Sequence, residues 1–317
     1  MFRRMLTAGV IVGLCLGLLQ SVIAPVAQAA QGTPCAVATE DGITALVTDF
    51  NTAFDAHDVE ALAALVSPDI VRDSPRGDDN GVEDMVASFD YFFSVFPDLS
   101  TTVNLVLVDA PLAAIHYTTS GTQAVPFADT EPSGELVTWD GMYLITVECG
   151  KISQLWSQVD QLSQRNQETS APVTPVASME GGTPDACPEL TDESAQALMD
   201  TWYHDVWTGD LDVLATITTA DVYHHWAIGP DSSGQDEQRA HLEGTFALDL
   251  FAGLTSGYGA IIVDGEYIAV HWVQTLGDDT WAGLNIFRTE CGLIDEVWSE
   301  MDLADLPAQD AEATPAG

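Results

Sequence analysis

The chain repeats itself. Ile43, Leu46, Val47, Phe50 and Phe54 recur 152 positions later as Ala195, Leu198, Met199, Trp202 and Val206, and the same offset relates Cys35 to Cys187, Asp58 to Asp210, Leu62 to Leu214 and Asp69 to Asp221. Towards the C-terminus the offset becomes 142, relating Cys149-Gly150 to Cys291-Gly292, Trp156 to Trp298 and Asp160 to Asp302, so the second copy is ten residues shorter in its middle. A period above one hundred residues is too long for a solenoid repeat or a propeller blade and specifies tandem globular domains. The expected domains are 35–163 and 187–304. A flexible linker at 164–186, with three prolines and several Ser and Thr, joins them, and a disordered tail follows at 305–317.

At 317 residues and 46% hydrophobic, the chain holds enough apolar material for two medium cores. Its 49 acidic against 8 basic residues give a formal charge of −41, a surface that repels phosphates and anionic lipid, so nucleic acid is not an expected partner. Arg3 and Arg4 precede an apolar run from Leu6 to about Leu19, and Ala27-Gln28-Ala29 forms a small-x-small cleavage pattern. Residues 1–29 therefore read as a signal peptide, since Gln20 and Pro25 interrupt the run short of a membrane span. The mature protein is expected to be exported, with no membrane partner after cleavage.

Cleavage removes Cys15 and leaves Cys35, Cys149, Cys187 and Cys291, an even set that outside the cytoplasm reads as two disulfides. Spacing alone permits three pairings. The repeat selects Cys35 with Cys149 and Cys187 with Cys291, one bridge per copy. A metal site is the alternative, but no Cys-x-x-Cys spacing supports it.

Within the first copy, positions 43, 46, 47, 50 and 54 trace one face of a helix, and Asp58 is placed to cap a second helix through Val66 that Pro68 ends. A third, from about Val82 to Phe96, carries Met85, Phe89, Phe92, Phe93 and Phe96 at helical spacing and reads as core. The period then changes to two over 101–109, 112–121, 135–148 and 151–160. The second copy repeats this order, with helices near 190–207, 210–218 and 235–252 and strands from about 258 to 302. The fold class is α+β: two tandem cone-shaped domains, each three N-terminal helices packed on a curved antiparallel sheet. Such a cone leaves an apolar interior suited to a small hydrophobic molecule.

This order, with Phe96-Pro97-Asp98-Leu99, Thr119-Ser120-Gly121-Thr122, Gly150-Lys151-Ile152 and Trp156-x-x-x-Asp160 in the first copy, and Gly292-Leu293-Ile294 and Trp298-x-x-x-Asp302 in the second, resembles the SnoaL-like polyketide cyclase family of the ketosteroid-isomerase-like cone superfamily. The second copy departs from the pattern with Phe251-Ala252-Gly253-Leu254 in place of the Phe-Pro-Asp element. The resemblance implies cofactor-independent acid/base chemistry, with neither metal nor organic cofactor, and a final-strand aspartate as proton carrier at Asp160 and Asp302. It implies a histidine after the second helix, matched by His225 in the second copy and replaced by Asp73 in the first. A further family histidine falls on Thr146 and Arg288, neither of which shuttles a proton near neutral pH. Superfamily members often dimerise through the outer face of the sheet, so an intramolecular pseudo-dimer is expected.

Residues two and four apart in a strand share a face, so Trp156, Gln158 and Asp160 go together, as do Trp298, Glu300 and Asp302. Aimed into the cone, an indole beside a carboxylate would raise its pKa into the proton-transfer range. Trp156, Trp298, Gln158, Glu300 and Arg288 are the candidate substrate-binding residues, and Asp160, Asp302, His225 and Asp73 the candidate catalytic ones. A surface ion pair is the plain alternative for Arg288. His224 and His225 point to opposite faces, with His225 expected inward. His116-Tyr117 and His271-Trp272 occupy equivalent strand positions. The spacing of His224, His225, Asp236 and His241 fits no standard metal pattern. The expected function is cyclase-type or isomerase-type chemistry on a hydrophobic carbonyl or ester compound. The alternative is a non-catalytic module that binds a lipid-like or polyketide-like ligand, or an assembly domain.

Overall fold

Helix α1 (Glu40–Asp55) begins where Thr39 turns its hydroxyl back to accept the Gly42 amide at 3.2 Å, with Glu40 and Asp41 in the first turn to complement the helix dipole. Its apolar stripe, Ile43 to Phe54, is buried. Asp58 caps α2 (Val59–Leu65) by accepting from the Ala61 amide at 2.9 Å, as its position suggests. Helix α3 (Val82–Val95) starts at Gly81, whose φ of 97° suits glycine, and stops before Pro97. The computed structural model describes residues 35, 37–127, 131–160, 187, 189–247 and 253–301. The expected signal peptide, the linker, the tail and Asp302 lie outside these residues.

The first sheet holds β1 (Val66–Asp73), β2 (Asp79–Asn80), β3 (Ser100–Asp109), β4 (Leu112–Thr122), β5 (Leu136–Glu148) and β6 (Lys151–Val159), in the order β2-β1-β6-β5-β4-β3. Four of these match the period-two segments of the sequence. β1 and β2 do not: Val66 opens a strand rather than ending a helix, and β1 pairs parallel to β6, so the sheet is mixed. Pro68 and Asp69 disguise β1, because Ser67, Pro68 and Asp69 follow the buried Val66 and the alternation resumes only with the buried Ile70 and Arg72.

The second half repeats the plan. α4 (Asp192–Asp200) opens on a Thr191–Ser194 capping box and runs on through a π turn (Thr201–Asp205) and a 3-10 turn (Val206–Thr208) to Gly209. A 3-10 turn (Leu211–Val213) leads into α5 (Leu214–Ile217), and α6 (Gln235–Phe246) starts at Gly234, the counterpart of Gly81. Strands β7 (Thr218–His225), β8 (Ser232–Ser233), β9 (Thr255–Asp264), β10 (Tyr267–Leu276), β11 (Asp279–Glu290) and β12 (Leu293–Met301) lie in the order β8-β7-β12-β11-β10-β9, with β12 and β7 parallel. No helix among the described residues is long and apolar enough to cross a membrane.

Each sheet buries its concave face against its own helices, α1 to α3 in the first half and α4 to α6 in the second. The convex faces are buried too. Leu107, Ala114, Met142 and Leu144 of the first sheet form one cluster with Ile262, Ala269, Leu284 and Ile286 of the second. The Val108 amide donates to the Asp264 carboxylate at 3.1 Å across this contact. The contact is reciprocal: Trp156 stands 5.3 Å from His271 between ring centres, and Trp298 stands 5.8 Å from His116.

Cys35 is bonded to Cys149 and Cys187 to Cys291, tying the chain before each first helix to the last β-hairpin of the same half. Each bridge closes more than one hundred residues, and loop-closure entropy then stabilises the folded chain by roughly 3–5 kcal/mol. Replacing both Cys35 and Cys149 by Ser is expected to lower the unfolding free energy measured in guanidinium by about that much, with a lower midpoint and an unchanged folded spectrum. An unchanged midpoint would show that the bridge constrains nothing.

Candidate functional site

A cavity of about 120 Å³ lies inside the first cone. β1 supplies Arg72 to it and the following turn supplies Arg76; α3 supplies Ser88, Phe89 and Phe92. From the sheet come Tyr117 of β4, Trp139 and Tyr143 of β5, and Ser157 and Val159 of β6. Tyr117 and Tyr143 stack at 4.5 Å with their planes 23° apart. Gly141 allows this, since a Cβ there would collide with the Tyr117 hydroxyl and meet the Gln158 carbonyl at 2.9 Å. Burial pushes the Tyr117 phenol well above its usual range, and that of Tyr143 upward as well.

The two guanidinium groups are held by aromatic faces. Arg72 lies over the Phe89 ring at 4.8 Å, and Arg76 over Phe92 at 5.0 Å and Phe127 at 5.2 Å. Arg72 is buried and paired through Nη1 with Asp79, whose other oxygen accepts from the Ser88 hydroxyl at 2.5 Å. The Nε of Arg72 is buried with no hydrogen-bond partner among the described residues.

The second cone carries different residues at the same places. The β1–β2 and β7–β8 registers put His224 where Arg72 stands and Ser232 where Asp79 stands. Counting from the capping glycines, His241 replaces Ser88. His224 is buried and donates or accepts with Ser299 Oγ at 2.8 Å. It stacks on Trp226 at 3.4 Å, and Trp226 stacks on His241 at 4.0 Å. Burial holds the His224 imidazole well below its usual pKa and lowers that of His241. Both rings are thus packed as neutral planes around an indole that fills this part of the cone. Among the described residues, no group of three His, Cys, Asp or Glu side chains is placed to hold a metal ion.

Strand parity corrects several expectations. In β6 it is Ser157 and Val159 that face the cavity, so Trp156, Gln158 and Asp160 belong to the opposite, convex face. Trp298 and Glu300 of β12 likewise belong to the convex face, while Val297 and Met301 join the second core. Glu300 is buried there, and desolvation, helped by the charges of Asp160 and Asp140, pushes its carboxyl well above the usual range. His224 rather than His225 points into the cone, and Asp73 is exposed beside the inward Arg72. Arg288 is no cavity residue: it pairs with Asp295 and, at 3.0 Å, with Glu296 on the adjoining strand. Part of the α3 stripe expected to be plain core, Phe89 and Phe92, forms cavity wall.

The sequence reading missed Arg72 and Arg76. Their scarcity was the available signal: two of only eight basic residues lie four apart, just before the aromatic helix.

On the convex face, His225 places Nδ1 at 3.3 Å from Asp231 and Nε2 at 3.1 Å from Glu296, and stacks on Trp298 at 5.6 Å with planes 8° apart. Burial alone would lower its pKa, but the hydrogen bonds and charges of Asp231 and Glu296 outweigh it and push it up from the ordinary 6.5 to about 9. A folded value above the unfolded one gives stabilisation that is complete below about pH 6.5 and is lost as pH rises through about 9. His225→Gln is expected to cost on the order of 3 kcal/mol more at pH 6 than at pH 10. Denaturant unfolding of both proteins at the two pH values checks this; a difference independent of pH would remove the charged-histidine account.

Two family profiles match the chain, the SnoaL-like polyketide cyclase over residues 44–168 and the SnoaL-like domain over residues 199–297. No curated protein matches it. Among solved structures, TsrD from Streptomyces laurentii is 24% identical, over 41% of this chain and 97% of its own, with a TM-score of 0.39. A SnoaL-like polyketide cyclase from Agrobacterium tumefaciens strain C58 is 18% identical, over 39% of this chain and 96% of its own, with a TM-score of 0.36. The two profile matches fall one on each cone, and the chain belongs to the SnoaL-like family as two such domains in tandem.

Proposed function

We propose that this protein is an exported small-molecule binding module whose ligand enters the first cone, while the second cone serves as its packed structural partner. SnoaL-like domains bind small hydrophobic molecules. The observation that carries the reading is the contrast between the copies: the first encloses a cavity of about 120 Å³ between α3 and the sheet, and the second sets the His224–Trp226–His241 stack in the corresponding place. The N-terminal pattern around Arg3 and Ala29 supports export, and the two disulfides are compatible with it. The reciprocal contacts of Trp156 with His271 and of Trp298 with His116 support an internal pseudo-dimer, in which equivalent surfaces meet about a two-fold axis.

Cyclase or isomerase chemistry has less support. General acid/base catalysis needs a titrating group within about 3 Å of the proton it moves. Among the described residues that line the cavity none is a carboxylic acid or a histidine, and burial raises the Tyr117 and Tyr143 phenol pKa values further above the neutral pH range. Asp160, the expected proton carrier, belongs to the other face of the sheet.

A volume near that of engineered cavities that accept benzene limits the ligand to about one ring. A neutral probe such as benzyl alcohol, followed through the fluorescence of Trp139 and by calorimetry, is expected to bind with a Kd of roughly 0.1–1 mM. Ser157→Leu, which fills the cavity from β6, is expected to abolish binding while the protein stays folded. Equal binding by wild type and Ser157→Leu would place the ligand elsewhere.

A further inference from the structure

We propose that the cavity of the first cone is a receptor for an anion, specifically a single-ring aromatic carboxylate, with Arg72 and Arg76 holding the carboxylate and the Phe and Tyr walls holding the ring. This deepens the binding reading and rests on it.

The cavity reverses the charge balance of the chain. The chain has 49 acidic and 8 basic residues, yet among the described residues the cavity wall contains two arginines and not one aspartate or glutamate. In a random draw from this composition acidic side chains would outnumber basic ones about sixfold. Among the described residues the other basic side chains are engaged away from it: Lys151 with backbone carbonyls of α2 and β1, Arg239 with Asp212 and Glu243, and Arg288 with Asp295 and Glu296.

Arg72 also carries an unsatisfied donor. Arg72 is 8% exposed, and its Nε has no acceptor among the described residues, although Asp79 engages Nη1. Leaving a buried donor of a charged group unpaired is costly, and a carboxylate is the acceptor a guanidinium edge fits best, because two parallel N–H bonds match two oxygens. Stacking on Phe89 and on Phe92 and Phe127 fixes the guanidinium planes, so little order remains to be gained when an anion arrives.

In the remainder of the wall, the Tyr143, Ser157 and Thr119 hydroxyls can donate to an oxyanion, while Phe54, Trp139 and Val159 offer apolar surface to one ring. The volume leaves no space for a fused polycycle. The second copy serves as an internal control. There the arginine and aspartate positions hold His224 and Ser232, so the cation and its counter-ion are replaced together.

Titration calorimetry of the full chain at pH 7 with benzoate and with its neutral isostere benzamide tests the proposal. Benzoate is expected to bind at least tenfold more tightly. In Arg76→Gln, which leaves the Arg72–Asp79 pair in place, the ratio of benzoate to benzamide affinity is expected to fall to within twofold. Benzamide binding as well as or better than benzoate to the wild type overturns the anion proposal and leaves the binding reading standing, a comparison that needs no variant to fold. Benzoate affinity indifferent to both Arg76→Gln and Arg72→Gln overturns it as well. Failure of both probes to bind overturns the binding reading and this proposal together.

Discussion

The central strands of each sheet have two faces, and both are covered. On the concave face lie the helices and, in the first copy, the cavity; on the convex face lies the other sheet. A residue and its neighbour along β4, β5 or β6 therefore serve different compartments, one the cone and the next the contact between halves. Tyr117 belongs to the cavity and His116 to Trp298; Ser157 belongs to the cavity and Trp156 to His271. Everything chemical about the molecule follows from which side of this division a residue falls on. Covering the convex face also places polar groups where water would otherwise solvate them, as in His116, Gln158 and Glu300. That expense explains why imidazole and indole rings pair across the contact, where a ring offers area to the partner sheet and a polar edge to its own.

The same division explains what could be read from the sequence and what could not. The duplication, the cysteine pairing, the helices at Glu40 and Val82 and the four long strands were legible, because each rests on a local or exactly repeated pattern. The assignment of faces was not. When a strand is exposed on one side, polar and apolar residues alternate and announce the inward face; β4 and β5 are buried on both, and Ala113 to Tyr117 reads as apolar almost throughout. Trp156 and Asp160 therefore looked like cavity residues, and the one-residue choice between His224 and His225 could not be made from alternation. β1 escaped because its partner β6 lies some eighty residues away in sequence and parallel to it, so no hairpin turn marks the pair.

The two copies have diverged in what fills the cone. An empty cavity of 120 Å³ carries a penalty of about 3 kcal/mol if it stays dry. The second copy avoids it with the buried indole of Trp202 and the half-buried indole of Trp226, packed around His224. The first keeps the space and invests its wall with hydroxyls and guanidinium groups, which solvent or a ligand can satisfy. A duplicated domain permits such a split, since one copy can be packed for stability while the other carries the cost of a site, and the shared convex contact couples their folding.

An anion site inside a chain of formal charge −41 is a question of distance. At physiological salt, exposed charges beyond about 8 Å are largely screened, so most surface carboxylates act on a ligand in the cone only weakly. A guanidinium in hydrogen-bond contact, in surroundings of lower effective dielectric, acts with several times the strength of a solvent-exposed pair. The global charge then governs the approach of an anion, slowing it most at low ionic strength, while Arg72 and Arg76 govern whether it stays. An acidic exterior and a cationic interior are compatible for that reason: the first repels anions in general at long range, and the second would act only on an anion small and flat enough to lie against the guanidinium groups.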